Sequence, residues 1–298
     1  MAVRPVLKQR VWGVERLPVW YPQPEPGQPV GEAWLTAEEC VAEGGSATPG
    51  ETLRELARRD PAALGADAGG FPLLIKLLFP REKLSVQVHP NDAEARALGQ
   101  ARGKTECWYI VDAEPGATVA VGLNEPLSPE QVRAAIADGS IEQQLRHLRV
   151  KRGDMVYVDA GTIHAIGPGV VVLETQQMSD ITYRLYDYGR PRELHLEQGL
   201  AVLRNSSEAG LVAPVAMPGF VRLVTSPYFV VDRFTLKGEA DLDGTGAMQI
   251  LVALAEGCSV GAMPLPAGWA VVVPAGETAY SLRGAGDVVR IAQNDGQR

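Results

Sequence analysis

The chain has 298 residues, 46% of them hydrophobic, enough for one large core or two modest ones. Acidic residues outnumber basic ones 36 to 28, and the formal charge of −8 argues against a nucleic-acid partner while leaving room for a local basic pocket. Three scattered cysteines, Cys40, Cys107 and Cys258, with no CxxC pair, argue against a disulfide framework and for a reducing, cytoplasmic setting. The most apolar run, residues 71–79, is interrupted by Lys76 and too short to span a bilayer, so no membrane partner is expected.

With 32 glycines and 22 prolines set between short apolar runs, the pattern predicts a mainly β chain with many turns. Residues 1–30 include the proline-rich LPVWYPQPEPGQPVG, read as a surface loop, and GEAWLT at 31–36 as a short strand. A helix is expected over 50–59, stopped by Asp60-Pro61. Strands follow at 71–78 and 84–89. Asn91-Asp92 can then cap a short helix closed by Gly99. Residues 104–111 form another strand. Ser128, Pro129 and Gln131 open a helix that breaks at Gly139 and resumes to 148. Strands return at 155–158, 170–174 and 180–188, and residues 191–203 form a helical linker. Beyond Gly219 nearly everything is short strand and turn.

A repeat joins the two halves. Gly153, seven residues, Gly161, two residues and His164 align without gaps on Gly268, seven residues, Gly276, two residues and Ala279. A turn–strand–turn–strand unit used twice gives this signal. The expected organisation is a first domain over 1–195, with helical segments near 50–60 and 128–148, and a second over 196–298 that lacks His164's counterpart.

The run KLSVQVHPND, residues 83–92, puts Gln87 and His89 on one face of a strand. Glu106 from a neighbouring strand and His164 from the turn-flanked one can join them around a metal. Taken singly, each has a plainer structural explanation: a strand cap, a backbone bond, a pair with Lys104 or an arginine. Together, two imidazoles, a carboxylate and an amide suit Zn²⁺, and Fe²⁺, Mn²⁺ or Co²⁺ are tolerated because no thiolate selects a soft ion. His147 and His195 sit among charged residues and are expected at the surface. Lys83, Lys104, Arg184 and Arg190 supply positive charge. An arginine among Tyr183, Leu185 and Tyr186 needs an anionic partner, either a phosphate or a carboxylate such as Asp180, Glu174 or Asp187.

LSVQVHPND, GKTECWYI, DAGTIHAIG and LETQQMSDITYRLYDYGR together resemble type I mannose-6-phosphate isomerases of the cupin superfamily, in the shorter bacterial form. The resemblance is strong from about Gly31 to Arg190 and architectural beyond. It implies two cupin-type (jelly-roll) β-barrels with a small helical insertion, and one zinc ion per chain held by Gln87, His89, Glu106 and His164. It implies an aldose–ketose isomerase acting on mannose 6-phosphate and fructose 6-phosphate through an enediol or enediolate, with a sugar phosphate as partner. Arg184, Lys104 and Glu174 match the family's active-site residues. Lys83, Ser85 and Arg184 are the candidates for the phosphate. GEAWL replaces the family's GESWE, which puts Glu32 in doubt as a pocket residue. An iron-dependent cupin oxygenase and a non-enzymatic sugar-phosphate-binding cupin are the competing readings. Gln87 in place of a first histidine weighs against the oxygenase, and the intact ligands and cations weigh against the binding protein.

Overall fold

The structure, a computed structural model, describes residues 1–294. Its helices are short, and three of them start where the sequence supplies a cap. Thr52, Asn91 and Ser128 each accept a bond from the third helical N–H of Leu53–Arg59, Asp92–Ala97 and Pro129–Asp138. Glu55, Glu94 and Gln131 reach back to close the capping boxes. A helix Leu196–Val202 lies within the expected linker. The stretch after Gly139 departs from expectation. One helical turn, Ile141–Gln144, gives way to a strand, Leu145–Arg149, which pairs with Thr118–Leu123, a strand the sequence pattern did not reveal. Cross-strand pairing and burial of Leu145 outweigh local helix preference there.

Strands dominate, in three sheets of ten, seven and five strands. The expected jelly-roll barrels are not formed. Each sheet is an open run with two end strands, the largest carrying a side branch, and none closes on itself. Two of the strands at the site, Val86–Val88 and His164–Ile166, have three residues and reach only about 10 Å, too short to bend from one sheet into another.

The chain forms two compact units, each discontinuous in sequence. One comprises residues 1–9, 15–77 and 213–294. It carries the ten-stranded sheet, built around the paired strands Phe229–Asp243 and Ala279–Gln293. Its core includes Phe234, Leu251, Val271, Leu282 and Val288.

The other unit comprises residues 10–14 and 78–212. Its five-stranded antiparallel sheet runs Tyr183–Tyr186, Val86–Val88, His164–Ile166, Thr118–Leu123, Leu145–Arg149. Facing it are Gly210–Val212, Met155–Val158, Glu106–Ala113 and Val170–Gln177, side by side in that order. Trp108, Ile110, Val156 and Val172 from the second group share a core with Val119, Val121 and Ile166 from the first. On the outer side of the five-stranded sheet, Val86, Val88, Ala165 and Leu185 pack against helix residues Val132, Ile136, Ile141 and Val202. The candidate site residues Gln87, His89, Lys104, Glu106, His164, Glu174 and Arg184 lie inside this second unit.

Candidate active site

His89, Glu106 and His164 converge, with their ligand atoms within 4.8 Å of one another, and each is at most 1% exposed. His89 Nε2 lies 3.6 Å from Glu106 Oε2, and His164 Nε2 lies 3.5 Å from Oε1, so each carboxylate oxygen faces one imidazole. The other ring nitrogens are committed. His89 Nδ1 is 2.9 Å from the Ile181 carbonyl and His164 Nδ1 is 2.9 Å from the Thr162 carbonyl. A carbonyl only accepts, so each Nδ1 carries the proton, and each Nε2 is turned toward Glu106. His164 Nε2 is buried with no hydrogen-bond partner. Burial holds its pKa below the ordinary 6.5, a direction that favours the lone pair. Two inward lone pairs and a carboxylate, one nitrogen orphaned, fit a divalent cation.

Backbone register adds Gln87. It lies opposite His164 on one side and opposite Arg184 on the other, so the three side chains form a row on one face of adjacent strands. At normal strand spacing Arg184 sits about 10 Å across that row from His164. Glu106 comes from the facing sheet, where it lies opposite Val158 and Gln176. The motifs around the ligands are tied to one another. Gly161 N–H donates to the His89 carbonyl at 2.8 Å, and Lys104 N–H to the Pro90 carbonyl at 3.0 Å. Both contacts need glycine nearby. Gly161 has φ +89°, and a Cβ there would meet Arg204 Nη1 at 2.2 Å; a Cβ on Gly103 would meet the Asn91 carbonyl carbon at 2.4 Å.

The family model for phosphomannose isomerase type I, catalytic domain, matches residues 1–123, a span that holds Gln87, His89, Lys104 and Glu106. The mannose-6-phosphate isomerase of Streptococcus mutans is 36% identical over 263 residues, 84% of this chain and 83% of that protein. Mannose-6-phosphate isomerase ManA of Bacillus subtilis is 39% identical over 255 residues, 80% of each. The crystal structure of the mannose 6-phosphate isomerase from Bacillus subtilis superimposes with a TM-score of 0.87 at 30% identity, covering 97% of this chain and 98% of that one. The chain belongs to the type I mannose-6-phosphate isomerase family.

Among the candidate residues, Lys104 is at the centre. Its buried Nζ donates to Glu106 Oε2 at 2.6 Å and to His89 Nε2 at 3.1 Å. Burial alone would lower its pKa, but the carboxylates of Glu106, Glu174 and Asp180 together raise it, so among the protein groups it is an ammonium. Buried Glu174 lies opposite Trp108 and therefore on the face that carries Glu106. Arg184 is half-buried. Its Nη1 donates to the Glu193 carbonyl at 2.7 Å, and its Nε is buried without a partner. Its pKa is lowered by burial and then by the like charges of Arg192 and Arg190. Arg192 grips the buried Asp187 with two bonds of 2.6 Å, and Arg190 is 3.0 Å from the same carboxylate.

Lys83 is not brought to the triad. Its ammonium pairs with Glu142 and lies 5.5 Å from the Tyr188 ring centroid. Ser85 is buried just before the strand. Ala33 and Leu35, which replace polar residues of the family, are core residues of the other unit, and Glu32 there accepts from Trp34 Nε1 at 2.5 Å. His147 is exposed as expected, but His195 is half-buried. It exchanges bonds with the Arg184 backbone, accepting on Nδ1 at 3.2 Å and donating from its own N–H at 2.7 Å. That pairing fixes the Arg184 strand from its far edge.

Trp108 escaped the sequence analysis. Its indole N–H donates to Glu106 Oε1 at 3.1 Å and its ring meets His164 edge-on, centroids 5.5 Å apart. Strand alternation from Glu106 was the available signal. Gln176 was also missed. Its amide donates to the Ser179 carbonyl at 2.6 Å, folding the turn that brings the Ile181 carbonyl to His89.

Proposed function

We propose that this chain interconverts mannose 6-phosphate and fructose 6-phosphate as an aldose–ketose isomerase dependent on a divalent metal, which we assign as zinc. The observation that carries this reading is the buried His89–Glu106–His164 cluster, with both Nε2 lone pairs directed inward, in a chain of this family. Gln87, in the row between His164 and Arg184, is our candidate for the fourth ligand.

Isomerisation moves a proton between C2 and C1 and shifts the carbonyl, so negative charge develops on oxygen in the enediolate. A cation bound to the triad supplies Lewis-acid stabilisation of that charge. Lys104, held by Glu106 and His89, places a fixed positive charge beside the same point and costs no reorganisation during reaction. Glu174, on the Glu106 face, is our candidate for the base that carries the proton, since a carboxylate can take it from one carbon and return it to the next. Lys104 serves as the donor in this scheme. Arg184 and Ser85 are our candidates for the phosphate. Arg184, Arg190 and Arg192 surround a single buried carboxylate, Asp187, which leaves a surplus of positive charge for a dianion in a protein that is acidic overall. Lys83, spent on Glu142, is left out. No helix among the described residues is long and apolar enough to cross a membrane, and three free, buried cysteines support a cytoplasmic setting.

The test is a coupled assay for fructose 6-phosphate formed from mannose 6-phosphate, run after chelation and again after zinc is restored. Activity that disappears and returns supports the reading. A zinc-replete, folded protein with no turnover rejects it.

A further inference from the structure

Gln177 ends the Val170–Gln177 strand and is 3% exposed. Its side-chain oxygen accepts the Thr105 N–H at 2.9 Å, and its own N–H donates to the Thr105 carbonyl at 3.2 Å. Thr105 is the single residue between Lys104 and Glu106. The Gln177 amide nitrogen turns the other way and donates to Asp92 Oδ1 at 2.9 Å. That same oxygen accepts the Gly103 N–H at 2.8 Å. Residues 103–105 are therefore pinned on both sides to the start of the Asp92–Ala97 helix, three residues after His89.

We propose that Gln177 is the positioning residue that sets Glu106 and Lys104 against His89. It belongs to no ligand set and acts through Thr105 and Asp92. Strand pairing alone stops at Gln176↔Glu106. Beyond it the chain leaves the ladder, and the carboxamide continues the attachment for the residue that precedes the ligand. Without it, Thr105 N–H loses its acceptor and Asp92 loses a donor, and both groups are drawn out of place to find others. Groups that orient a metal ligand typically contribute about 10–100-fold to metal affinity or activity, and a misplacement of about 1 Å can cost about 10²-fold in rate.

This inference rests on the triad being a metal site, and the experiment separates the two. Zn²⁺ affinity is measured by competition with a chromophoric chelator for the wild type, Gln177→Met, Gln177→Glu and the double variant Gln177→Glu/Asp92→Asn. The double variant exchanges donor and acceptor. The new carboxylate accepts from Thr105, and the new amide at position 92 turns about its Cβ–Cγ bond so that its nitrogen donates to that carboxylate while its oxygen accepts the Gly103 N–H. We expect Gln177→Met to bind Zn²⁺ about 10–100-fold more weakly, with kcat reduced and KM within about threefold of wild type, as for a group that positions without touching substrate. The double variant recovers at least about tenfold of the affinity lost in Gln177→Glu, within the same range. Wild-type affinity in a folded Gln177→Met overturns the proposal. If Gln177→Met does not fold, equal affinity in the single and double Glu variants overturns it. A wild type that binds no Zn²⁺ rejects the metal assignment itself.

Discussion

Replacing Lys104 with methionine separates the energetics of the site from its chemistry. The side chain keeps its length and loses its charge, leaving Glu106 buried, 1% exposed, without the ammonium that stands 2.6 Å from Oε2. Removing one partner of a buried pair costs about 3–5 kcal/mol. Trp108 still donates to Oε1 at 3.1 Å, which places the expected loss at the lower end, about 3 kcal/mol. At about 2–4 °C per kcal/mol for a chain unit of this size, that is a fall in Tm of roughly 6–12 °C. The assay is a thermal melt of wild type and variant after chelation, repeated with Zn²⁺. A cation on Glu106 compensates the same charge, so saturating Zn²⁺ should shrink the difference in Tm by half or more. Activity should not follow stability, and kcat should fall by at least about 10²-fold even when zinc-loaded. If the chelated variant melts within about 2 °C of wild type, a shift far below that expected for a buried pair, Lys104 is not what compensates Glu106 and the electrostatic account is wrong.

Arg184→Ala should lower kcat/KM about 10–100-fold, the equivalent of one bond to a charged group, with an unchanged melt; full activity would remove Arg184 from the substrate site. Gly103→Ala drives a Cβ into the Pro90–Asn91 backbone and should cost about 1–3 kcal/mol in denaturant unfolding; an unchanged midpoint refutes the close approach. His164's pKa lies below 6.5 in the folded protein, so the unfolded chain takes up its proton at the higher pH. Stability from this group is lost as pH falls through that window and restored as it rises. Acid-induced release of metal should have its midpoint below pH 6.5, and a midpoint above it contradicts the buried, neutral imidazole. Burial pushes the Cys40 thiol up to about 12 and raises Cys107 and Cys258, so a thiol reagent at pH 8 should label none of the three until denaturant is added.

The legible part of the site was the part governed by strand alternation and glycine turns. Gln87 and His89, Lys104 and Glu106, and the glycines before His164 each follow from a period of two or from a backbone that needs room. The same rule misled where the strand ended. Counting back from Gln87 places Ser85 and Lys83 on its face, but the strand begins at Val86, and past that point Lys83 turns to Glu142. Partners supplied by backbone leave no trace in composition, so neither the Ile181 carbonyl on His89 nor the His195 pairing with Arg184 could be read from residue types. Sheet closure was misread for a related reason. The repeat and the family resemblance specify strands and turns, whereas closing a barrel requires hydrogen bonds between edge strands that these short segments do not make.

The repeat explains why the chemistry belongs to one unit. In both copies the strand starts two residues after the first glycine, at Met155 and Ala270, and ends three residues later. The next strand begins at the aligned position, His164 in one and Ala279 in the other. The backbone frame is therefore the same, and the difference lies in what it presents. His164 is fully buried and backed by Trp108, whereas Ala279 is exposed and offers no donor. The other unit buries charge of its own, but Asp232 there is matched by Arg222 and Arg290, with Arg290 set 5.0 Å from the Phe234 ring. That carboxylate has its counter-ions within the protein. Glu106 faces one ammonium and two imidazole Nε2 atoms, that of His89 shared with the ammonium and that of His164 without a partner, and a cation between them satisfies carboxylate and nitrogens together.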